Sequence, residues 1–132
     1  MRKILFSVNP TYVKSIFAGT KIYEFRKRRC KNDVTSILIY ATAPIMRVVG
    51  EAGIEAILEG SVQDIWEKTK DFGGVSFEFF KKYYGRSDKA VAYKLTNVRQ
   101  FDKSRELSEY GVCRAPQSFM YVAEDFCKND PV

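Results

Sequence analysis

The hydrophobic and polar positions along this chain follow two different periods, which predict a mixture of short strands and short helices. Residues 4–8 are mostly apolar, as is typical of a buried strand, and Asn9-Pro10 supplies a helix N-cap and a proline at the first helical position. The next apolar residues recur on one helical face until Gly19. The chain is therefore predicted to begin with a strand, a helix and a glycine that ends the helix.

The rest of the chain continues this alternation of strands and helices. Residues 48–58 alternate apolar and polar side chains, the two-residue period of a long, half-buried strand. Ser61 and Ser76 are predicted N-caps of two short helices. The other predicted strands span residues 22–25, 36–42, 89–98 and 118–122. The order β-α-β-β-β-α-α-β-β predicts an α+β fold, with a small, curled antiparallel or mixed sheet or β-barrel and short flanking helices.

Length and composition fit one folded unit. The chain has 132 residues, of which 45% are hydrophobic, enough for one core. We predict a single domain over residues 1–123 and a polar C-terminal tail over residues 124–132. No apolar run approaches the roughly 18 residues that a membrane span needs, and the first apolar segment is too short for a signal peptide. We therefore expect no membrane partner and a cytoplasmic location.

The cysteine and histidine contents restrict the chemistry. The three cysteines, Cys30, Cys113 and Cys127, are widely spaced and form no CxxC pair, which predicts free thiols, no metal site and no cofactor. Because the chain has no histidine, the most common general base is absent. Cys30 lies within a basic run, so its thiol pKa is expected to be lowered if it is exposed. The alternative is an ordinary loop thiol.

Positive charge is concentrated in one short stretch. The formal net charge is +6, and residues 21–31 contain six basic residues and one acid. Residues 51–82 have the opposite balance, with seven acids and four lysines. A concentrated basic patch attracts polyanions, which makes nucleic acid the expected partner class, while a solvated basic loop is the alternative.

Three charged residues lie where the first helix gives way to a strand. In a strand Glu24 and Arg26 point to the same side, and Lys21 at the preceding turn can reach over them. One reading is a salt-bridge cluster at the strand edge. The other is a polar pocket in which the cations hold a phosphate or polarise a carbonyl and Glu24 bonds a base edge or transfers a proton. Spacing alone leaves both open.

The motif Gly19-x-Lys21-x-x-Glu24-x-Arg26, directly after a short amphipathic helix, resembles the signature of the ASCH domain family of the PUA-like superfamily. Further similarity covers most of residues 4–122. It includes residues 5–10, 40–44, 49–51 and 116–119. The resemblance implies a β-barrel with flanking helices and a cleft beside the motif that binds RNA or a nucleotide-like ligand.

By the same resemblance, Lys21, Glu24 and Arg26 line the cleft, and Gln117 and Ser118 lie at its rim. One bacterial branch of the family hydrolyses the acetyl amide of N4-acetylcytidine with a motif lysine, a threonine and a distant glutamate. Lys21 matches that lysine, whereas Glu24 stands where that branch has its threonine. This chain therefore departs from the pattern of that branch.

Other candidates for the cleft come from the strands. Tyr40 and Thr42 share a strand face, and Tyr40 either stacks on a base or packs in the core. Tyr121 is a second candidate for stacking. Ser7 either contributes a hydroxyl to the cleft floor or is an ordinary strand serine. Four aromatic residues at helical spacing are predicted to pack in the core: Trp66, Phe77, Phe79 and Phe80.

We consider three functions. The leading hypothesis is an RNA- or nucleotide-binding domain whose cleft takes a base, modified or not. Its phosphate contacts would be Lys27, Arg28, Arg29 and Lys31. The second is a small nucleoside- or RNA-processing enzyme, either an amidohydrolase or a ribonuclease, with Lys21 and Glu24 as the catalytic pair. The third is a protein-interaction domain that uses the acidic surface of residues 51–82.

Overall fold

Strands with an alternating or continuous apolar pattern form one six-stranded sheet, and three short helices pack against it. The structure, a computed structural model, describes residues 2–122. The strands are β1 (Arg2–Val8), β2 (Tyr23–Arg26), β3 (Val34–Ala41), β4 (Arg47–Ser61), β5 (Lys89–Arg105) and β6 (Phe119–Val122). The helices are α1 (Pro10–Ala18), α2 (Val62–Thr69) and α3 (Phe77–Tyr84). The predicted element order is confirmed.

The sheet is mixed and strongly curled. Its strand order is β2-β5-β4-β3-β1-β6, and β1 runs parallel to β3 while every other pair is antiparallel. Register shifts interrupt the pairing of β4 with both neighbours and increase the local twist. As a result Phe6 on β1 meets Tyr93 on β5 edge to face, with ring centroids 5.0 Å apart, although two strands lie between them.

The prediction of an α+β fold with a mixed sheet is confirmed, but closure of that sheet into a barrel is not. Within residues 2–122, no strand pairing joins the two edge strands, β2 and β6. The predicted tail over residues 124–132 and Cys127 lie outside the described residues. Among the described helices none is long and apolar enough to cross a membrane. The cytoplasmic location stays a prediction.

The two faces of the sheet bury alternate residues of the central strands. Ile4, Phe6 and Ile39 pack with α1 on one face, whereas Leu5 and Leu38 pack on the other. A third apolar cluster lies between the sheet and helices α2 and α3. It includes Phe25, Ile65, Phe80 and Tyr84. β1 and β3 therefore contribute side chains to the packing on both faces of the sheet, and helices α2 and α3 pack over Phe25 of β2.

The structure extends one strand beyond its prediction. β5 continues from the predicted end at residue 98 to Arg105, and the extension pairs with the first half of β4. The extension is mostly exposed and polar, so backbone hydrogen bonds to β4 maintain it rather than burial of side chains. A 3-10 turn at Leu107–Tyr110 follows, which the apolar pattern did not indicate.

Candidate functional site

The three charged residues of the motif lie together and are nearly inaccessible to solvent. Glu24 is central, with one carboxylate oxygen 2.6 Å from Nη1 of Arg26 and the other 3.6 Å from Nζ of Lys21. Lys21, Glu24 and Arg26 are only 2%, 4% and 8% exposed. The salt-bridge cluster and the polar pocket that the spacing left open are therefore both present in part. The three charged residues pair with each other, and they also line a cavity.

Local chain geometry brings the motif into this position. Gly19 takes a left-handed conformation with φ of 83°, which ends α1 and turns the chain toward β2. The Ile22 backbone N–H donates to the Phe72 carbonyl, while the Ile22 carbonyl accepts from Leu95 of β5. These bonds hold the segment between α1 and β2 against both β5 and the loop at residues 71–74.

The buried cations also bind main-chain oxygens. The ammonium of Lys21 donates to the Gly73 carbonyl. The Arg26 guanidinium donates to the carbonyls of Phe25 (2.7 Å) and Ser7 (2.9 Å). Its Nε is buried and, among the described residues, has no hydrogen-bond partner. A buried donor without a partner is uncommon in folded proteins.

Burial also changes the protonation of the site. Loss of solvation lowers the pKa of Lys21, and the nearby Arg26 lowers it further, while Glu24 acts in the opposite direction. The pKa of Tyr12 is raised, mainly by burial and also by the Glu24 carboxylate. The pKa of Tyr83 is likewise raised by burial. The site therefore favours the neutral form of Lys21 more than bulk solvent does. Tyr12 and Tyr83 keep their hydroxyl protons and can donate hydrogen bonds.

A cavity of about 150 Å³ lies directly against the charged residues. Lys21, Glu24 and Arg26 form one side of it, together with Ser7. Five aromatic residues also line it: Tyr12, Phe25, Phe79, Phe80 and Tyr83. The cavity thus combines hydrogen-bonding groups with aromatic surface, a combination that suits a planar polar ring.

The aromatic side of the cavity was not predicted. Phe77 and Phe79 were expected in the core, but they are 43% and 47% exposed, so that expectation is wrong for both. It holds for Phe80, which is 1% exposed. Phe79 and Tyr83 are four residues apart, and this helical spacing was the available signal for a shared face. Tyr12 was assigned only to the apolar face of α1.

Three other candidates lie next to the site. The Ser7 hydroxyl donates to the Pro116 carbonyl (2.6 Å), and the Ser7 carbonyl accepts from Arg26. The Ser7 N–H donates to the Ser118 carbonyl (3.0 Å), so the segment before β6 runs beside the cavity. Gln117 in that segment is exposed. Ser7 lines the cavity, whereas Gln117 and Ser118 do not.

The structure does not bring Tyr40, Thr42 or Tyr121 to the cavity. Tyr40 is 3% exposed and packs with Leu5 on the sheet face opposite Phe6, because adjacent strand residues point to opposite faces. Thr42 follows β3, and its N–H donates to the Val8 carbonyl. Tyr121 lies on the edge strand β6, where its hydroxyl accepts from the Lys31 N–H (3.1 Å).

The four basic residues of the loop at residues 27–31, the basic loop, are exposed. Lys27 lies 5.3 Å from the ring of Tyr83, a residue of the cavity wall. Arg28 lies 5.8 Å from the Phe119 ring, and Lys31 lies 5.9 Å from the Tyr121 ring. The basic loop therefore extends from the mouth of the cavity toward the edge strand β6.

Arg29 differs from its neighbours because its guanidinium pairs with Glu59 of β4 at 2.6 Å. Cys30 is 3% exposed, and burial raises the pKa of its thiol, so the condition for a lowered pKa is not met. The Cys30 N–H donates to the Tyr93 hydroxyl (2.8 Å), which donates to the Arg28 carbonyl (2.9 Å). These bonds fix the loop backbone and leave its basic side chains in solvent.

A larger groove of about 620 Å³ follows the extension of β5 and the start of β4. Two of its cations are paired with carboxylates: Arg47 contacts Glu106 at 3.1 Å, and Arg99 contacts Glu51 at 2.9 Å. None of the motif residues lines it. The smaller cavity is therefore the better candidate for the functional site.

A six-stranded mixed sheet places the Lys21, Glu24 and Arg26 motif beside a cavity, as the resemblance to the ASCH domain implies. Residues 1–117 match the family described as "Domain of unknown function (DUF365)", and the chain belongs to that family. The crystal structure of the ASCH protein of Zymomonas mobilis superimposes with a TM-score of 0.86 at 27% identity, over 96% of this chain and 91% of that one. The predicted resemblance to the ASCH domain is confirmed.

Two curated relatives carry names that refer to RNA or the ribosome. An "ASCH domain-containing ribonuclease" of Zymomonas mobilis is 33% identical over 95 residues, which cover 71% of this chain and 64% of that protein. A "Large ribosomal subunit protein uL22" of Ureaplasma parvum is 30% identical over 120 residues, 90% of this chain. The chain spans only 39% of the length of that relative.

Proposed function

We propose that this chain binds RNA, with one base in the cavity and neighbouring phosphates on the basic loop. The observation that carries this proposal is a ring-sized cavity with charged and aromatic sides next to an exposed, anchored basic loop. The ribonuclease name of one relative supports an RNA-related function. RNA is read mainly through unstacked bases that contact aromatic side chains and hydrogen-bond at their edges.

Each charged residue has a role in this proposal. The Glu24 carboxylate accepts an N–H from the base edge, since two oxygens offer more acceptor sites than Arg26 and Lys21 occupy. The Arg26 guanidinium and the Lys21 ammonium belong to side chains that line the cavity, and they donate to a carbonyl or ring nitrogen of the base. A base with both donors and acceptors at its edge can satisfy the buried polar groups. Because a buried polar group without a partner is costly, the binding free energy depends strongly on correct hydrogen bonding.

The basic loop supplies the phosphate contacts. Lys27, Arg28 and Lys31 are exposed and form no ion pair with the described acidic residues. Arg29 contributes less because Glu59 already neutralises it. Gln117, Ser118 and Tyr121 would be outer contacts for nucleotides that leave the cavity along β6. Tyr40 and Thr42 are left out of the proposed site because neither lines the cavity.

Salt-dependent binding tests the proposal. Anisotropy of a fluorescein-labelled single-stranded RNA octamer gives the affinity as ionic strength is varied. Lys27→Ala, Arg28→Ala and Lys31→Ala should each reduce the slope of log affinity against log salt by about 0.7, the value for one phosphate contact on a single strand. Lys70→Ala is the matched control, because Lys70 is exposed directly after α2 and paired with Glu67. Absence of binding, or slopes unchanged in all three variants, would overturn the proposal.

A second candidate function is hydrolysis at the same site. The lowered pKa of Lys21 and the short distance between its Nζ and Glu24 are features of a lysine that can exchange a proton. The substrates to compare are labelled RNA and N4-acetylcytidine. Product formation that disappears in Lys21→Met, with native fluorescence of Trp66, would favour an enzyme. Turnover unaffected by Lys21→Met and Glu24→Gln would exclude this pair as catalytic.

A further inference from the structure

The mouth of the cavity is formed by side chains of two helices. Phe79 of α3 meets Tyr12 of α1 edge to face, with ring centroids 5.7 Å apart and an interplanar angle of 64°. Both residues line the cavity, and Phe79 is 47% exposed. An exposed phenyl ring at the entrance of a polar cavity is available for contact with whatever enters.

The position of Phe79 is fixed by its neighbour in sequence. Phe80 is 1% exposed and packs edge to face against Phe25 of β2, with ring centroids 5.0 Å apart. The Ser76 side chain also caps α3 by accepting from the Phe79 N–H (3.1 Å). Because the helix is anchored at both points, the Phe79 backbone is held beside the cavity that its ring lines.

The volume of the cavity limits what can enter. A cavity of about 150 Å³ is the size that holds one six-membered ring; an engineered cavity of that volume in another protein binds benzene. A pyrimidine has one such ring, whereas the two fused rings of a purine need more space. Lys21, Glu24 and Arg26 require a base whose edge has both hydrogen-bond donors and acceptors. Cytosine and uracil both have them.

We infer that the cavity selects a pyrimidine base and excludes purines, and that Phe79, which lines the cavity together with Tyr12 and Tyr83, sets this limit. The inference rests on the proposed function, because it specifies which base the RNA places in the cavity. Contact between the base and the aromatic side chains favours the bound ring, and the small volume of the cavity rejects the larger ring system.

Binding of RNA octamers to two variants tests the inference. Fluorescein-labelled octamers of uridine, cytidine and adenosine are titrated with the unmodified protein, Phe79→Ala and Phe77→Ala. Phe77 is the matched control because it is an exposed phenylalanine of the same helix that contacts Trp66 and does not line the cavity. Far-UV circular dichroism and urea unfolding report whether each variant keeps the native fold, since the contact between Phe77 and Trp66 makes Trp66 fluorescence unsuitable for the control.

The unmodified protein should bind the pyrimidine octamers at least about tenfold more tightly than the adenosine octamer. Phe79→Ala should weaken pyrimidine binding by roughly 5- to 150-fold, the range for loss of one base stack, and should narrow the pyrimidine preference. Phe77→Ala should change neither. Equal binding of all three octamers, or an unchanged preference in Phe79→Ala, would overturn the inference while leaving RNA binding intact. Absence of binding to every octamer would overturn the proposed function itself.

Discussion

Lys21 occupies an environment that few lysines tolerate. Its side chain is 2% exposed, and its ammonium meets a carboxylate, a carbonyl and the faces of Phe25 and Tyr12 at 4.9 and 5.3 Å. Burial of an ammonium is costly even when it is paired, because pairing replaces only part of its hydration. Lys21 therefore lowers the stability of the fold relative to an apolar residue of similar length, as expected of a residue retained for binding or chemistry.

This cost predicts a specific pH dependence. Burial lowers the pKa of Lys21 below its ordinary value of 10.5, so the folded chain loses this proton at a lower pH than the unfolded chain does. Between these two pKa values the unfolded chain binds more protons than the folded chain does. Unfolding therefore takes up a proton, and it becomes less favourable as pH rises. The free energy of unfolding, measured with urea relative to Lys21→Met, should increase as pH rises from 7 toward 10.5.

The comparison with Lys21→Met isolates this lysine. The buried tyrosines, whose pKa values are raised above 10.0, oppose the effect above about pH 10, and they are present in both proteins. Their contribution therefore largely cancels in the difference. A difference in unfolding free energy that stays constant, or that falls, between pH 7 and pH 10 would contradict the assigned environment of Lys21.

Part of the charged site could be predicted from the sequence and part could not. The two-residue period of a strand places Glu24 and Arg26 on one side, and the turn after Gly19 brings Lys21 to them. The burial of Lys21 could not be predicted, because the carbonyl that binds it belongs to Gly73, 52 residues away in the sequence. Local pattern contains no information about which loop covers a strand.

At the scale of elements, the loop at residues 71–74 acts as a cover for the charged site. The Phe72 carbonyl accepts from Ile22, and the Gly73 carbonyl accepts from Lys21. Gly74 has a φ of +68° and lies so close to Lys21 that a Cβ atom would be 2.8 Å from its side-chain carbons. Both the left-handed conformation and the close approach require glycine at this position.

Gly74→Ala should therefore destabilise the protein more than Gly19→Ala does. Both glycines have positive φ, which costs alanine about 1–2 kcal/mol, but a Cβ at Gly19 would meet nothing within 4 Å. The contact with Lys21 adds roughly 1–3 kcal/mol of overpacking in Gly74→Ala. Urea unfolding measures both variants, and RNA affinity should fall only in Gly74→Ala. Equal effects on stability would show that the loop does not press on Lys21.

The helices illustrate what periodicity can and cannot decide. The caps at Ser61 and Ser76 correctly place the starts of α2 and α3, since local hydrogen bonds determine a helix start. Which aromatic side chains of α3 are buried was predicted less well. Its aromatic residues occupy more than one face, so Phe80 is buried while Phe79 opens onto the cavity. Which face is buried depends on the partner element and not on the helix alone.

At the scale of the whole molecule, the structure shows where the basic and acidic stretches of the sequence lie relative to each other. The basic loop approaches β4, which carries the exposed Glu55 and Glu59, and the contact neutralises Arg29 through Glu59. Lys94 and Glu55 form a similar pair, at 2.7 Å, between β5 and β4. Some of the cationic charge counted in the sequence is therefore already paired, and the sequence could not show this because β4 and the loop are distant in the chain.

Removal of the ion pair between Arg29 and Glu59 should strengthen RNA binding. In Glu59→Gln the guanidinium of Arg29 loses its carboxylate partner and becomes available to a phosphate, which should raise the affinity for a single-stranded octamer and steepen the salt slope by about 0.7. Glu55→Gln is the matched control, because it removes the same charge from the same strand but frees Lys94 of β5 instead. If both variants gain equally, a general reduction of negative charge is responsible. If neither gains, RNA does not follow the basic loop past Arg29.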